Sequence, residues 1–111
     1  MKNTYTLLEN VLNKVENDLK RDLSAETLSE TFNLSSVHLQ RLFRFSFDLT
    51  IADYVRSRRL TESTEDLLKS DLNIIDIALE YGFQYEQSYI RAFKREFGLT
   101  PGQFRKTGQI L

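Results

Sequence analysis

The chain states one pattern twice, about fifty residues apart. Leu39-Gln40-Arg41-Leu42-Phe43-Arg44 returns as Tyr89-Ile90-Arg91-Ala92-Phe93-Lys94, Phe47-Asp48-Leu49-Thr50 returns as Phe97-Gly98-Leu99-Thr100, and Tyr54 is answered by Phe104. Upstream the separation is forty-nine, with Leu28, Phe32 and Leu34 recurring as Ile77, Tyr81 and Phe83. The one-residue slip falls between Leu34 and Leu39, which places a turn there, because loops absorb insertions that helices cannot. Two copies are too few for a solenoid, which needs three or more. A duplicated unit of this size points instead to two similar surfaces meeting a partner that itself repeats.

Helical periodicity fills nearly the whole chain, interrupted by one proline and four glycines. Thr6-Leu7-Leu8-Glu9 has the form of a capping box and is followed by Leu8, Val11, Leu12, Val15 and Leu19 at helical spacing. Ser24 can cap a second helix with Leu28 and Phe32 inward. Ser35 or Ser36 can cap a third, with Leu39, Leu42, Phe43 and Phe47 inward. Thr50 opens a long helix to about Lys69 that carries Ile51, Tyr54, Val55, Leu60, Leu67 and Leu68. Asn73 caps a fifth, with Ile74, Ile77, Ala78 and Tyr81 inward and Gly82 as its stop. Tyr85 to Phe97 makes a sixth, closed by Gly98, and Thr100-Pro101 starts a seventh. The expected fold is all-α, with about seven helices arranged as two helix-turn-helix subdomains, 1–49 and 71–111, joined by a linker helix at 50–70.

The bulk numbers narrow the function. A 111-residue chain without cysteine and with one histidine offers neither a disulfide framework nor a structural zinc ligand set. No apolar run reaches the ~18 residues of a membrane span and no signal-peptide pattern opens the chain, which fits a cytoplasmic protein. There is no Gly-rich phosphate loop and no buried-looking acid pair, so neither a catalytic constellation nor a cofactor is expected. The net charge is −1, yet it is unevenly spread. Ser35 to Arg59 holds Arg41, Arg44, Arg56, Arg58 and Arg59 against Asp48 and Asp53, while Arg91 to Lys106 holds five basic residues against Glu96 alone. Such segregation can put basic patches on a nearly neutral molecule, although a solvated, charge-balanced helical surface would read the same way.

Helices 24–32 and 35–47, and again 73–81 and 85–97, have the proportions of a helix-turn-helix. In that motif the second helix enters the DNA major groove and presents the side chains of its N-terminal half. With the apolar residues inward, the outward set is Ser36, Val37, Gln40, Arg41 and Arg44 in the first copy. In the second it is Tyr85, Glu86, Gln87, Ser88, Arg91 and Arg95. Arginine can bond guanine O6 and N7 together, glutamine can do likewise with adenine, and valine can pack on a thymine methyl. Arg44 and Lys94 suit phosphates. The expected linker helix would span ~28 Å at 1.5 Å per residue. Adjacent major-groove faces on one side of B-DNA lie ~34 Å apart. One monomer could therefore read two adjacent grooves. The competing reading is a helical protein-interaction module whose surface arginines meet an acidic protein.

These residues resemble a known family, the AraC/XylS-type transcription regulators, over about Leu23 to Arg105. The most specific stretch is Ile77-Ala78-Leu79-Glu80-Tyr81-Gly82-Phe83, then Ser88-Tyr89-Ile90-Arg91-Ala92-Phe93-Lys94 and Phe97-Gly98-Leu99-Thr100-Pro101-Gly102-Gln103-Phe104-Arg105. His38 to Phe43 matches the first-unit pattern, and Tyr54 to Leu60 resembles the opening of the family's linker helix. The resemblance implies a bipartite double-stranded DNA-binding domain, usually activating transcription through RNA polymerase. Carried over by position, Val37, Gln40 and Arg41 would read bases from the first unit, and Glu86, Gln87, Ser88 and Arg91 from the second. Ser36, Arg44, Tyr85, Lys94 and Arg95 would meet the DNA backbone. The start at Met1 resembles the family's small stress and multidrug-resistance activators. Other members carry an effector domain before or after this unit, and the end at Leu111 leaves room for one. Glu86 departs from a purely basic reading face, since a carboxylate there must accept from cytosine N4 or weaken the second unit.

Overall fold

The computed structural model describes residues 4–110, with side chains through Gly108; Met1 and Leu111 lie outside the described residues. These residues form seven helices and no strand: α1 Thr4–Asn17, α2 Ala25–Thr31, α3 Ser36–Phe47, α4 Ile51–Lys69, α5 Ile74–Glu80, α6 Glu86–Phe97 and α7 Pro101–Ile110. The chain packs as two compact units that divide between Arg56 and Ser57, inside α4.

The repeat is a repeat of structure. Adding forty-nine to the bounds of α2 gives those of α5, and adding fifty to the bounds of α3 gives those of α6. The extra residue therefore lies between the two helices, where residues 32–35 of the first copy correspond to residues 81–85 of the second. Both turns use a left-handed residue, Asn33 at φ 58° and Gly82 at φ 85°. In both, an amide reaches back to close the helix end: Leu34 N donates to Ser29 O at 2.9 Å and Phe83 N to Ala78 O at 3.0 Å. α3 and α6 also end alike, on Asp48 at φ 58° and Gly98 at φ 85°.

Each unit has its own aromatic core in the same register. Phe43 meets Phe47 and Tyr54 in tilted pairs with ring centroids 4.8 and 5.7 Å away, while Phe93 meets Phe97 and Phe104 at 4.7 and 5.7 Å. Phe43 and Phe93 are fully buried, and emptying such a site costs ~3–5 kcal/mol. The helix that follows each core is capped by the same residue type. Thr50 Oγ1 accepts from Asp53 N at 3.0 Å. Thr100 Oγ1 accepts from Gln103 N at 3.1 Å, while Gln103 Oε1 accepts from Thr100 N at 2.9 Å, a complete capping box.

Several expectations needed correction. Thr6 lies inside α1, where a helical backbone cannot place its hydroxyl on the orphan amides, so no capping box forms at Thr6–Glu9. Of the two serines before α3, Ser35 is the cap, accepting from His38 N at 3.1 Å. Asn73 occupies the cap position of α5 without a side-chain cap bond. On α4, Leu68 is 44% exposed. The packed stripe of that helix runs Leu60, Ser63 and Leu67 at i, i+3 and i+7, one residue off Leu68. Ser63 can hold an apolar position because its hydroxyl donates to Leu60 O at 2.7 Å and meets the Tyr89 hydroxyl at 2.8 Å. Arg105 from α7 closes the other end of α4, its guanidinium donating to Leu67 O at 2.9 Å and Ser70 O at 3.2 Å.

Candidate nucleic-acid interface

In the first unit, Leu39 and Phe43 anchor α3 inward, and their burial fixes which side chains turn out. Val37, Gln40, Arg41 and Arg44 are exposed, and Ser36 is half-buried. Gln40 Nε2 donates to Ser36 Oγ at 2.9 Å, one turn back. That bond steadies the amide while leaving its oxygen and second N–H available, the pair an adenine edge requires. Arg41 makes no ion pair among the described residues, and Arg44 has a loose 4.0 Å contact with the exposed Asp48 and a weak electrostatic interaction with Asp53. Both guanidiniums therefore stand ready for an anion.

The basic cluster read between Ser35 and Arg59 divides. Arg56 is held by Asp53 at 2.6 Å, and this contact keeps the Asp53 carboxyl below its ordinary value. Arg58 pairs with Glu62 at 3.7 Å. Arg59 is half-buried, and its Nη1 lies 2.9 Å from where a Cβ on Gly82 would stand. Only Arg41 and Arg44 belong to the outer face of α3.

In the second unit, Tyr89, Ala92 and Phe93 are the buried stripe of α6. Gln87, Ser88, Arg91, Lys94 and Arg95 are exposed, Tyr85 is 66% exposed at the N-cap, and Glu86 is half-buried. Tyr85 makes no side-chain cap bond, so Glu86 in the first turn supplies the negative charge that suits the helix N-terminus. Glu86 thus has a structural use besides any contact with cytosine. The Tyr89 hydroxyl is buried on Ser63, and burial pushes its pKa up to about 12, which keeps the phenol neutral inside this unit. Burial and a bond to Asp66 push the Tyr81 phenol up as well.

Sequence reasoning missed Phe45. It lies four residues beyond Arg41 on the outward side of α3 and is 90% exposed, and with Gln40, Arg41, Arg44, Thr50 and Ile51 it lines a cleft in the first unit. The repeat carried the signal, because Phe45 stands where the second copy has Arg95. Among the described residues no group of histidines, cysteines and acids is placed to hold a metal ion, and no helix is long and apolar enough to cross a membrane.

Comparison with known proteins agrees with this geometry. A family model described as "Helix-turn-helix domain" matches residues 28–107. The chain is 38% identical over 110 residues to the "Probable transcription factor PqrA" of Proteus vulgaris, covering 94% of this chain and 90% of that one. It is 35% identical over 100 residues to the "Multiple antibiotic resistance protein MarA" of Escherichia coli, covering 90% and 79%. Among solved structures, the DNA-binding domain of the global transcriptional factor AdpA, determined in complex with a target DNA, shares the fold at a TM-score of 0.84 and 21% identity, covering 93% of each chain. With two helix-turn-helix units in register and relatives matched along 79–90% of their own length, this chain belongs to the AraC/XylS-type helix-turn-helix family of DNA-binding transcription regulators.

Proposed function

We propose that one monomer of this regulator reads an asymmetric double-stranded DNA site by inserting α3 and α6 into adjacent major grooves. The observation that carries this reading is the recurrence of an exposed arginine at one register, Arg41 on α3 and Arg91 on α6, with an exposed glutamine nearby at a different position in each (Gln40 and Gln87), and each helix fixed by a buried aromatic of the same register. In this reading Val37, Gln40 and Arg41 contact bases from the first unit, and Glu86, Gln87, Ser88 and Arg91 from the second. Ser36, Arg44, Tyr85, Lys94 and Arg95 lie along phosphates and sugars. The role is activation of transcription together with RNA polymerase in the cytoplasm, without catalysis of its own. A helical module binding an acidic protein is less favoured, because two groove-sized faces in register are more than such a partner requires.

Selecting bound duplexes from random DNA and titrating the best of them with salt tests the proposal. Two different short motifs about one helical turn apart are expected, with an affinity that falls log-linearly with salt. No enrichment, or a single motif that saturates binding, would overturn it.

A further inference from the structure

Gln40 and Gln87 are both exposed on the outward faces, yet their amides are held differently. Gln40 Nε2 donates to Ser36 Oγ at 2.9 Å, four residues back along α3. Gln87 is the second residue of α6, and neither Gln84 nor Phe83, three and four residues before it, offers a hydroxyl. Its side chain makes no hydrogen bond among the described residues. At the places of Ser36 and Gln40 the second copy has Glu86 and Ile90, so the bonded pair belongs to one copy only. Folding does not require it, because the second copy builds a helix of the same 12 residues without it.

A glutamine that moves freely can meet either purine. It can turn its carbonyl and one N–H to adenine N6 and N7, or its two N–H groups to guanine O6 and N7. In α3 one of those N–H groups is already spent on Ser36. The carbonyl and one N–H remain, which fits adenine and cannot supply guanine with two donors. We propose that Ser36 is a positioning residue that makes the first unit select adenine over guanine opposite Gln40. The proposal rests on the groove-reading role of α3. It leaves Ser36 free to touch a phosphate as well, since its own O–H is not used in the bond to Gln40. The neighbouring serine has a separate task, because Ser35 Oγ accepts from His38 N at 3.1 Å as the helix cap. Gln87, without such a bond, should accept both purines.

The test uses the full chain on a duplex selected from random DNA and then varied one base pair at a time. Gln40→Ala identifies the position that Gln40 reads by the preference it erases. At that position Ser36→Ala should lower the preference for adenine over guanine by at least ~2-fold, the size that a bonded side-chain pair four residues apart supports. Other positions should not change, and the cap at Ser35 stays intact. Ser36→Thr keeps the hydroxyl and should retain the wild-type preference, while Ser36→Ala should change no base preference further in the Gln40→Ala background. NMR of the chain without DNA gives a second readout. The Gln40 side-chain N–H groups should exchange with water more slowly than those of Gln87, and Ser36→Ala should remove the difference. An unchanged adenine-to-guanine ratio in Ser36→Ala would overturn the proposal, including the case where all duplexes weaken equally, which marks a phosphate contact alone. So would Ser36→Thr behaving as Ser36→Ala, or Gln40 exchange that ignores the substitution. If Gln40→Ala erases no preference, the groove-reading role of α3 fails and the proposal with it. If Gln40→Ala erases one and Ser36→Ala leaves it whole, the proposal alone fails.

Discussion

Tyr89 joins packing to polarity at a single residue. Its ring lies between Phe83 and Phe93 in the core of the second unit, and its hydroxyl is satisfied by Ser63 on α4. Burial raises its pKa from 10.0 to about 12. Between those values the unfolded chain gives up this proton while the folded one keeps it, so stability falls as pH rises from about 10 towards 12. Thermal melts across that range should fall more gently for Tyr89→Phe than for the wild type, though from a lower starting point because the buried Ser63 hydroxyl keeps only Leu60 O as a partner. Equal slopes would show that Tyr89 does not carry the alkaline loss. Phe45 makes the opposite case of an apolar residue outside the core. If the outward side of α3 runs along DNA phosphates as its counterpart Arg95 suggests, Phe45→Arg should add ~1 to the slope of log affinity against log salt. An unchanged slope would place the last turn of α3 away from the phosphates.

At the scale of the helices, the two copies solve one set of boundary problems with different residues. Where the second copy uses glycine for the left-handed residue after a helix, the first uses Asn33 and Asp48 at φ 58°. Side chains other than glycine adopt that region at a cost. Asp48→Gly, copying Gly98, should stabilise the first unit by ~0.5–1 kcal/mol, the left-handed cost of ~1–2 kcal/mol less the ~0.5–1 kcal/mol of extra chain entropy that glycine loses, measured by chemical denaturation. A destabilised variant would mean that the loose Arg44 contact or the aspartate itself holds the turn. Much of this level was legible beforehand. Capping residues, the stop at Gly82 and Gly98 and the inward faces of α3 and α6 follow from local pattern, since each is decided within one or two helical turns. The capping box expected at Thr6 and the side-chain cap bond expected at Asn73 did not form, because local pattern cannot tell which of several suitable positions the folded chain will use. The structural roles of Ser63 and Arg105 were not readable locally, since a buried serine needs Tyr89 from another helix and an arginine on carbonyls needs the end of α4 brought beside α7.

For the molecule as a whole, the inequality of the two reading faces matters more than their likeness. Arg41→Ala and Arg91→Ala should each cost ~1–3 kcal/mol of DNA affinity and relax preference at one base, but in different halves of the site. Binding profiles from randomised duplexes would check this, and a shared relaxed position would contradict the two-groove reading. The likeness itself was written in the sequence: the fifty-residue echo, its one-residue slip and the turn that absorbs it could all be located before any coordinates, because duplicated helices keep their register. The class of partner was legible too, since arginine and glutamine recur on the two outward faces. Tertiary structure decided which charges are available. Arg56 and Arg58 already meet acids a turn away within α4, but it was tertiary packing that set Arg59 beside the Gly82 turn. It also left Phe45, Ile75 and Leu79 in solvent. A sequence lists side chains and their spacing, but burial and pairing depend on what other helices bring within a few ångströms, and only the folded chain fixes that.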